Sequence, residues 1–226
     1  MTKLREMLTT WFAPSRDKNP KVLDRKNLCH PERSRGICSF FLRRIRAASL
    51  LFPPRPVQGD IFINMLDAFR IFARYNRIAN VRLYEQCGKL DPVEYRRERR
   101  GSFGSIHNLL NHILLGDRVW MSRFAGGGKT TPPLNSILFE TFAELSSARS
   151  EQDASIEAFF EKVDDDFLTR PLSYTNSQGK DYLEPAPAAV LHFFNHQTHH
   201  RGQVHVMISQ TDVRPPSLDM HRILNP

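Results

Sequence analysis

The chain has 226 residues, and its 40% hydrophobic and 25% charged residues are typical of a globular protein with one sizeable core. The formal net charge of +8 lies entirely in residues 1–63, which contain 13 Lys and Arg against 5 Asp and Glu, whereas the remaining residues contain 19 of each sign. This balance argues against nucleic-acid binding by the later part of the chain.

Cysteine usage and hydropathy indicate the cellular compartment in which we expect the protein. Cys29, Cys38 and Cys87 form no CxxC pair, which argues against a disulfide framework and favours a reducing environment. No apolar run reaches the roughly 18 residues of a membrane-spanning helix, and the N-terminus has no apolar segment of the signal-peptide type. We therefore expect a cytoplasmic protein with no membrane partner.

Residues 1–63 differ from the rest of the chain. Short apolar patches, repeated prolines and basic clusters alternate there without a sustained helical or strand period. We predict that this segment is disordered or is a wrongly annotated extension, with Met65 as the true initiator, and that residues 64–226 form the folded domain. The alternative is a basic, disordered arm that binds nucleic acid.

Two helices are predicted in the first half of the domain. Apolar and small residues recur at three- and four-residue steps from Met65, which predicts a first helix that ends near Gly88. Ser102 or Ser105 is placed to cap a second helix. Its apolar residues continue to the glycine triplet 126–128, which lacks the spacing of a phosphate-binding loop.

The second half of the domain predicts two further helices with a hairpin between them. A third helix is predicted over residues 141–163, although its middle is polar. Aromatic and β-branched residues flank a glycine-bearing turn in residues 172–183, which predicts a short β-hairpin. Pro185 and Pro187 are compatible with the first turn of a last helix that reaches about Gln210. Four long helices with short links predict an all-α fold, a four-helix bundle.

Seven of the nine histidines fall in the second and fourth predicted helices. His196 and His200 lie one turn apart on the same helix face, so both rings can reach one ion. His112 is the best third ligand because it lies mid-helix among apolar residues, where an unsatisfied ring would be costly. We therefore predict a divalent-metal site formed by these three side chains.

The other helical histidines are weaker candidates. A single helical histidine is more often a surface or hydrogen-bonded core residue than a ligand, so the argument depends on clustering. His107, near its helix start, is the weaker third ligand. His192 could be a fourth ligand, although a structural hydrogen bond is favoured. His199 is rotated by about 100° from the neighbouring ligand and is predicted to flank the site, and His205 is predicted to lie on the surface.

Four segments carry a recognisable pattern: Tyr75–Arg77 with Asn80, Ser105–Ile106 with Leu110–Leu114, Asp117–Trp120, and Asn195–Gln203. Together they resemble the DinB family of damage-inducible proteins, over about residues 65–213 and over no part of residues 1–63. The resemblance implies an up-down-down-up four-helix bundle, a homodimer, and a divalent metal held by His112, His196 and His200. No general base beyond these three histidines is visible in a matching position.

Three neutral imidazoles leave a metal ion with open positions, as in catalytic sites. Relatives of the DinB family include thiol-dependent transferases and isomerases. The resemblance therefore implies, as the leading hypothesis, a metal-dependent transferase that activates a small-molecule thiol. A metal-dependent hydrolase ranks lower because Asp117, Asp181 and Glu184 are not one turn from a ligand on the correct face. A non-enzymatic metal-binding stress-response protein is the third hypothesis.

Two further expectations concern the ion and the interior. Imidazole suits several divalent metals, and among them we expect zinc or nickel. Asn76 and Asn80 are predicted to face the bundle interior, where contacts between helices are a more plausible role for their amides than contacts with a substrate.

Overall fold

A computed structural model describes residues 63–127 and 132–225 of the chain. The predictions for the N-terminal extension up to residue 62 lie outside the described residues, as do Gly128 and the three residues that follow it. All four predicted long helices and the hairpin are present. In chain order the elements are α1 Met65–Cys87, α2 Pro92–Arg96, α3 Ile106–Phe124, α4 Phe142–Lys162, α5 Asp165–Thr169, β1 Pro171–Thr175, β2 Asp181–Pro185, α6 Ala186–Ile208 and α7 Met220–Leu224.

Side-chain caps fix where the long helices begin. The side chain of Asn64 accepts a hydrogen bond from a backbone N–H in the first turn of α1, and Thr141 does the same for α4. Of the two serines predicted to cap α3, Ser105 is the cap. Helix α6 has no side-chain cap, and Pro187 in its first turn reduces the number of N–H groups that need one.

The hairpin forms as predicted between α5 and α6. Strands β1 and β2 pair antiparallel, with Tyr174 opposite Tyr182. The side chain of Asn176 accepts hydrogen bonds from the backbone N–H groups of Gln178 and Lys180, and Gly179 adopts a φ of 77°, which favours glycine. The turn chemistry therefore follows from the sequence Asn176–Gly179.

Contacts between side chains fix the directions of the helices that run antiparallel. Along α1 and α4, Arg77 pairs with Glu157 whereas Tyr84, two turns later in α1, stacks on Phe142 at the start of α4. Helices α3 and α6 also run antiparallel, since residues near the start of α3 contact residues late in α6. These contacts include His112 with His200, Asp117 with Gln197, and Trp120 with His192.

The remaining two helix pairs are parallel. Phe72 stacks on Phe194, and Asn76 further along α1 contacts Arg201 further along α6. Asp117 and Phe124 of α3 contact residues 149 and 160 of α4, in the same order. The four long helices therefore form an up-down-down-up bundle. In residues 63–127 and 132–225, no helix is both long enough and apolar enough to cross a bilayer.

Two apolar clusters lie inside the bundle, one toward each end, and a third smaller cluster joins α1 to α7. One contains the start of α3 and the end of α6, and the other contains the end of α3 and the start of α6. Between the two clusters each long helix contributes buried polar side chains: Asn76, Asn80, Asp117, Arg149, Asp153, Gln197 and Arg201. We call these seven residues the central polar network.

Candidate metal centre

The rings of His112, His196 and His200 meet at one point between α3 and α6. Because the two helices are antiparallel neighbours, the middle of each lies opposite the middle of the other. Residues that are 84 and 88 positions apart in the sequence are therefore in direct contact. One ring nitrogen from each of these three side chains lies within 4.8 Å of the corresponding nitrogens of the other two. They form the cluster of metal-ligating side chains found in the described residues.

The distances between ring nitrogens suit one shared cation. The Nε2 atom of His112 lies 3.2 Å from Nε2 of His196 and 3.3 Å from Nε2 of His200. Bonds of about 2 Å from a metal ion to imidazole nitrogens place those nitrogens about 3.4 Å apart at tetrahedral angles and about 2.9 Å apart at right angles. The two separations from His112 fall in this interval and the remaining pair of nitrogens lies within 4.8 Å, so the three residues fit a divalent ion.

Hydrogen bonds at the far side of two rings decide which nitrogen carries the proton. Nδ1–H of His112 donates to the carbonyl oxygen of Leu134 at 2.8 Å, and Nδ1–H of His200 donates to Oε1 of Gln203 at 2.8 Å. In a neutral ring the other nitrogen, Nε2, then carries a lone pair and no proton. Two such lone pairs face each other at 3.3 Å, an arrangement that a cation between them stabilises.

The ring of His196 lies against a glycine on the neighbouring helix. A Cβ atom added to Gly116 would come within 2.8 Å of Cε1 of His196. Any side chain at this position of α3 would therefore displace the ring. The Nδ1 atom of His196 is buried and has no hydrogen-bond partner among the described residues.

Burial keeps the three imidazoles neutral. Desolvation, aided by the neighbouring imidazole rings, lowers the pKa of His196 to about 3. Desolvation also lowers the pKa of His200 to about 4 and lowers that of His112. Near neutral pH all three rings are therefore unprotonated, which is the form that binds metal ions.

A loop holds the hydrogen-bond acceptor for His112 in place. The side chain of Asn111, which is fully buried, accepts hydrogen bonds from the backbone N–H groups of Leu138 and Phe139 and donates to the carbonyl of Phe139. These bonds tie the segment that carries Leu134 to α3. On the other side, the Phe103 ring stacks on His112 with centroids 3.9 Å apart.

The central polar network supports the same pair of helices. The side-chain amide of Gln197, next to His196, donates to Asp117 at 2.7 Å. Asp117 is also ion-paired with Arg149, and Arg149 pairs with Asp153. Asp117 is one residue beyond Gly116, so this bond fixes α3 against α6 beside the ring of His196.

The other candidate residues have their own partners. Asn76 and Asn80 donate to Asp153, in agreement with the predicted helix contacts. Oxygen atoms of Asp181 and Glu184 accept hydrogen bonds from Thr175 and Tyr174 of the hairpin. Together with buried Asp117, the three carboxylates considered as general bases are therefore engaged in structural contacts.

The positions and partners of the other four helical histidines agree in part with the predictions. His107 is buried against Tyr95, its Nδ1 3.3 Å from the phenol oxygen. His192 packs on Trp120 with its ring centroid 6.2 Å from that of His196, and the hydrogen bond predicted for it is not found among the described residues. His199 flanks the site and accepts from the Gln203 amide. The surface position predicted for His205 is wrong in part, because its half-buried ring bonds the carbonyl of Pro216.

Sequence reasoning did not identify the groups that orient the ligands. Gln203 follows His200 by three residues, and this helical spacing was a usable signal. Gly116 lies in an apolar helix interior, where glycine is unfavourable, and this was a second signal. No sequence signal indicates the role of the Leu134 carbonyl, because every residue has a backbone carbonyl.

Comparisons with known proteins identify the family to which the sequence is similar. The sequence model of the DinB family matches residues 65–226, and so extends beyond the segment in which motifs were recognised. Protein DinB of Bacillus subtilis strain 168 is 26% identical over 152 residues, which cover 63% of this chain and 85% of that protein. A crystal structure of a DinB-like protein of Bacillus cereus ATCC 10987 has a TM-score of 0.50 and 17% identity, covering 65% of this chain and 94% of that one. A DinB-like protein of Bacillus subtilis has a TM-score of 0.47 and 17% identity, covering 65% and 96% of the two chains.

Proposed function

The chain belongs to the DinB family, and from that premise we propose that it is a metal-dependent S-transferase that acts on a small-molecule thiol. His112, His196 and His200 hold a divalent ion, zinc or nickel. The observation that carries the proposal is the pair of unprotonated Nε2 atoms that face each other at 3.3 Å, with a third ring nitrogen beside them. Three imidazole ligands are the donor set of open, catalytic metal sites.

The proposed reaction is a displacement at carbon. A divalent ion bound by the three histidines would lower the pKa of a coordinated thiol and so would supply a thiolate near neutral pH. The sulfur forms a bond to an electrophilic carbon, for example of a chlorinated aromatic compound. The carbon–chlorine bond breaks, chloride leaves with the bonding electrons, and the thiol proton passes to solvent.

The residues of this chain contribute orientation and exclusion of water. The Leu134 carbonyl and the Gln203 amide hold two ligand rings in the metal-binding tautomer. Phe103 covers one side of the cluster with an apolar ring, edge-on to His200. A thiolate needs no general base once its proton has left, which matches a site whose neighbouring carboxylates are engaged elsewhere.

Hydrolysis by an activated water is the less supported enzyme function. Such a reaction is assisted by a general base beside the water, and Asp117 is instead fully buried with Arg149 and Gln197. A metal-binding protein without turnover remains the non-enzymatic alternative, and the assay below separates it from the transferase.

Metal content tests the first half of the proposal. Untagged protein, stripped with chelator and then dialysed against zinc or nickel, should retain about one ion per chain by elemental analysis. The variant His196→Ala should retain none while its far-UV circular dichroism stays helical. The matched control is His221→Ala on α7, an exposed histidine that should leave the metal content unchanged. Equal metal content in both variants would exclude the assigned ligands.

Thiol consumption tests the second half. The metal-loaded protein is mixed with glutathione or cysteine and a chloronitrobenzene, and thioether and chloride are measured together. Equal amounts of both products, formed only with metal and lost with chelator or with His196→Ala, support the transferase. Metal binding without product from any thiol would leave the non-enzymatic function in its place.

A further inference from the structure

A groove of about 320 Å³ lies beside the three histidines, between the second half of α6 and the loop that precedes α3. Two of its lining residues touch the metal centre. Phe103 stacks on the ring of His112, and Gln203 accepts a hydrogen bond from His200. The groove therefore borders the histidine cluster through Phe103 and Gln203, is not itself lined by His112, His196 or His200, and extends along α6 toward Gln210.

A glycine in the wall of the groove has no packing role among the described residues. Gly202 lies inside α6, where glycine is less favourable than alanine because it gains freedom in the unfolded chain. No described atom lies within 4 Å of the position that its Cβ would occupy. The missing side chain thus leaves open space in the groove rather than room for a neighbouring helix.

The floor of the groove is apolar and one of its edges is cationic. Leu109 and Met207 are buried beneath it, and Val206 exposes 57% of its surface at its side. Arg100 is exposed at the edge and has no ion-pair or hydrogen-bond partner in the part of the chain that the structure describes. This pattern suits a ligand with an apolar body and an anionic group, because each part gains a matching contact.

The loop that carries Arg100 and Phe103 is held on both sides. The backbone N–H of Arg99 donates to the carbonyl of Gly104 at 2.6 Å, and the guanidinium of Arg99 is paired with Glu94 of α2 at 2.7 Å. The side chain of Arg99 is only 6% exposed. The outer wall of the groove is therefore preorganised, which lowers the entropic cost of ligand binding.

We propose that this groove is the acceptor site: it binds the electrophilic substrate, a small molecule with an aromatic or aliphatic body and an anionic group, with the body on Val206 and Met207 and the anion at Arg100. The assignment rests on the proposed transferase function. Small polar thiols would gain little from the apolar floor, whereas an aromatic acceptor would gain contacts with it beside the residues that border the histidine cluster.

Two matched probes and three variants test the acceptor site in the full-length protein. The probes are 4-chloro-3-nitrobenzoate and the uncharged 4-chloro-3-nitrobenzamide, with affinities measured by calorimetry on the metal-loaded protein without thiol. We expect the benzoate to bind about fivefold more tightly, as for one exposed ion pair. Arg100→Gln should abolish this difference, Gly202→Leu should abolish binding of both probes by filling the groove, and Gly202→Ala should change neither by more than about twofold.

The outcomes separate the groove from the transferase. Equal affinities for the two probes in the parent protein, or unchanged binding in Gly202→Leu, would overturn the acceptor site. If Arg100→Gln and Gly202→Leu both turn over chlorinated aromatics at the parent rate, the acceptor site is overturned and the proposed transferase function is retained. Probe binding lost in Gly202→Leu without any turnover would remove the transferase and keep an anion-selective groove. A change from dimer to monomer in Gly202→Leu, with probe binding unaltered, would assign the groove to a second copy of the chain. Metal content should stay constant in all three variants.

Discussion

At the scale of single residues, Gly116 decides whether the ring of His196 can reach its partners. A methyl group at position 116 would lie 2.8 Å from Cε1 of His196, so the ring must turn away from the shared point. We expect Gly116→Ala to weaken metal binding by at least about tenfold, as measured by competition with a chelating dye. The fold should persist, because the atom in conflict is the far end of a side chain.

The same substitution elsewhere in the bundle provides the control. Gly202→Ala adds a methyl group where no described atom lies within 4 Å, so it should raise the free energy of unfolding by about 1 kcal/mol and leave metal affinity unchanged. If Gly116→Ala and Gly202→Ala bound metal equally well, the close packing of His196 on Gly116 would have no functional meaning.

Gln203 contacts His200, so any effect of Gln203 on a bound ion would be exerted through that ring. Replacing it with leucine removes the acceptor for Nδ1–H of His200, and the ring is then free to rotate or to place its proton on Nε2. We predict that Gln203→Leu lowers metal affinity by about 10- to 100-fold. Gln203→Glu keeps an acceptor oxygen and should restore the affinity, whereas equal loss in both variants would indicate a packing effect.

The sequence predicts the three histidines better than it predicts their surroundings. His196 and His200 follow from a spacing of four in a helix, and His112 from its apolar neighbours. The carbonyl of Leu134 reaches His112 only because Asn111 ties down a loop of irregular backbone. No periodicity in the sequence describes such a loop, so this contact could not be anticipated.

At the scale of helices, the central polar network links all four long elements of the bundle. Arg149 of α4 bridges Asp117 of α3 and Asp153 of its own helix, and Asp153 accepts from Asn80 of α1. Burial is the main influence on Asp153 and raises its pKa to about 6, although Arg149 opposes this effect. The network therefore gives the stability of the bundle a dependence on pH.

The direction of that dependence follows from the raised pKa of Asp153. The folded protein retains a proton on this carboxyl up to about pH 6, whereas the unfolded chain loses it near the ordinary aspartate pKa of 3.8. Acidification from pH 7 to pH 4.5 therefore favours the folded state through this group. Asp153→Asn cannot titrate, so the stability advantage of the parent over the variant should be about 2 kcal/mol larger at pH 4.5 than at pH 7.

Urea denaturation of the metal-free proteins at the two pH values measures this difference. The histidines titrate in both proteins, so their contribution cancels in the comparison. A constant difference between parent and variant across this range would show that Asp153 is ionised in the folded state at both pH values.

The long helices were predictable because capping and periodicity agree in them, and the short ones were not. Asn64, Ser105 and Thr141 cap helices whose apolar residues continue for about 20 positions. Helices α2, α5 and α7 have five residues each, too few to show a period. Their formation depends on packing, as when Ile223 of α7 lies against Tyr75 and Ala79.

At the scale of the whole molecule, the helix directions depend on contacts between distant residues. Apolar periodicity indicates which face of each helix is buried but does not choose between the possible bundle topologies. The resemblance implied an up-down-down-up topology, and side-chain pairs show it. Asp117 and Gln197 pair across the antiparallel helices α3 and α6, and Asp117 and Arg149 pair across the parallel helices α3 and α4. Only side-chain partners of this kind distinguish the topologies physically.

The domain boundary gives a prediction about where the chain needs to start. A chain that begins at Asn64 after an initiator methionine should fold and bind metal like the full-length protein. A chain that begins at Met65 loses the Asn64 cap on α1 and should be less stable by about 1 kcal/mol in thermal or urea unfolding. Loss of the helical signal in both shortened chains would show that residues 1–63 are required for folding.

The two parts of the chain differ in net charge, and this difference predicts how each part interacts with DNA. Residues 1–63 carry the whole net charge of +8, so the full-length protein should bind duplex DNA weakly at low salt, with an affinity that falls steeply as salt increases. The chain that begins at Asn64 has balanced charges and should show no binding by fluorescence anisotropy under the same conditions. Because non-specific DNA binding depends on released counterions, its loss on truncation would assign the basic character to the extension alone. Affinity retained by the shortened chain would instead require a basic surface on the bundle, and the metal centre would then have to be considered beside a nucleic-acid function.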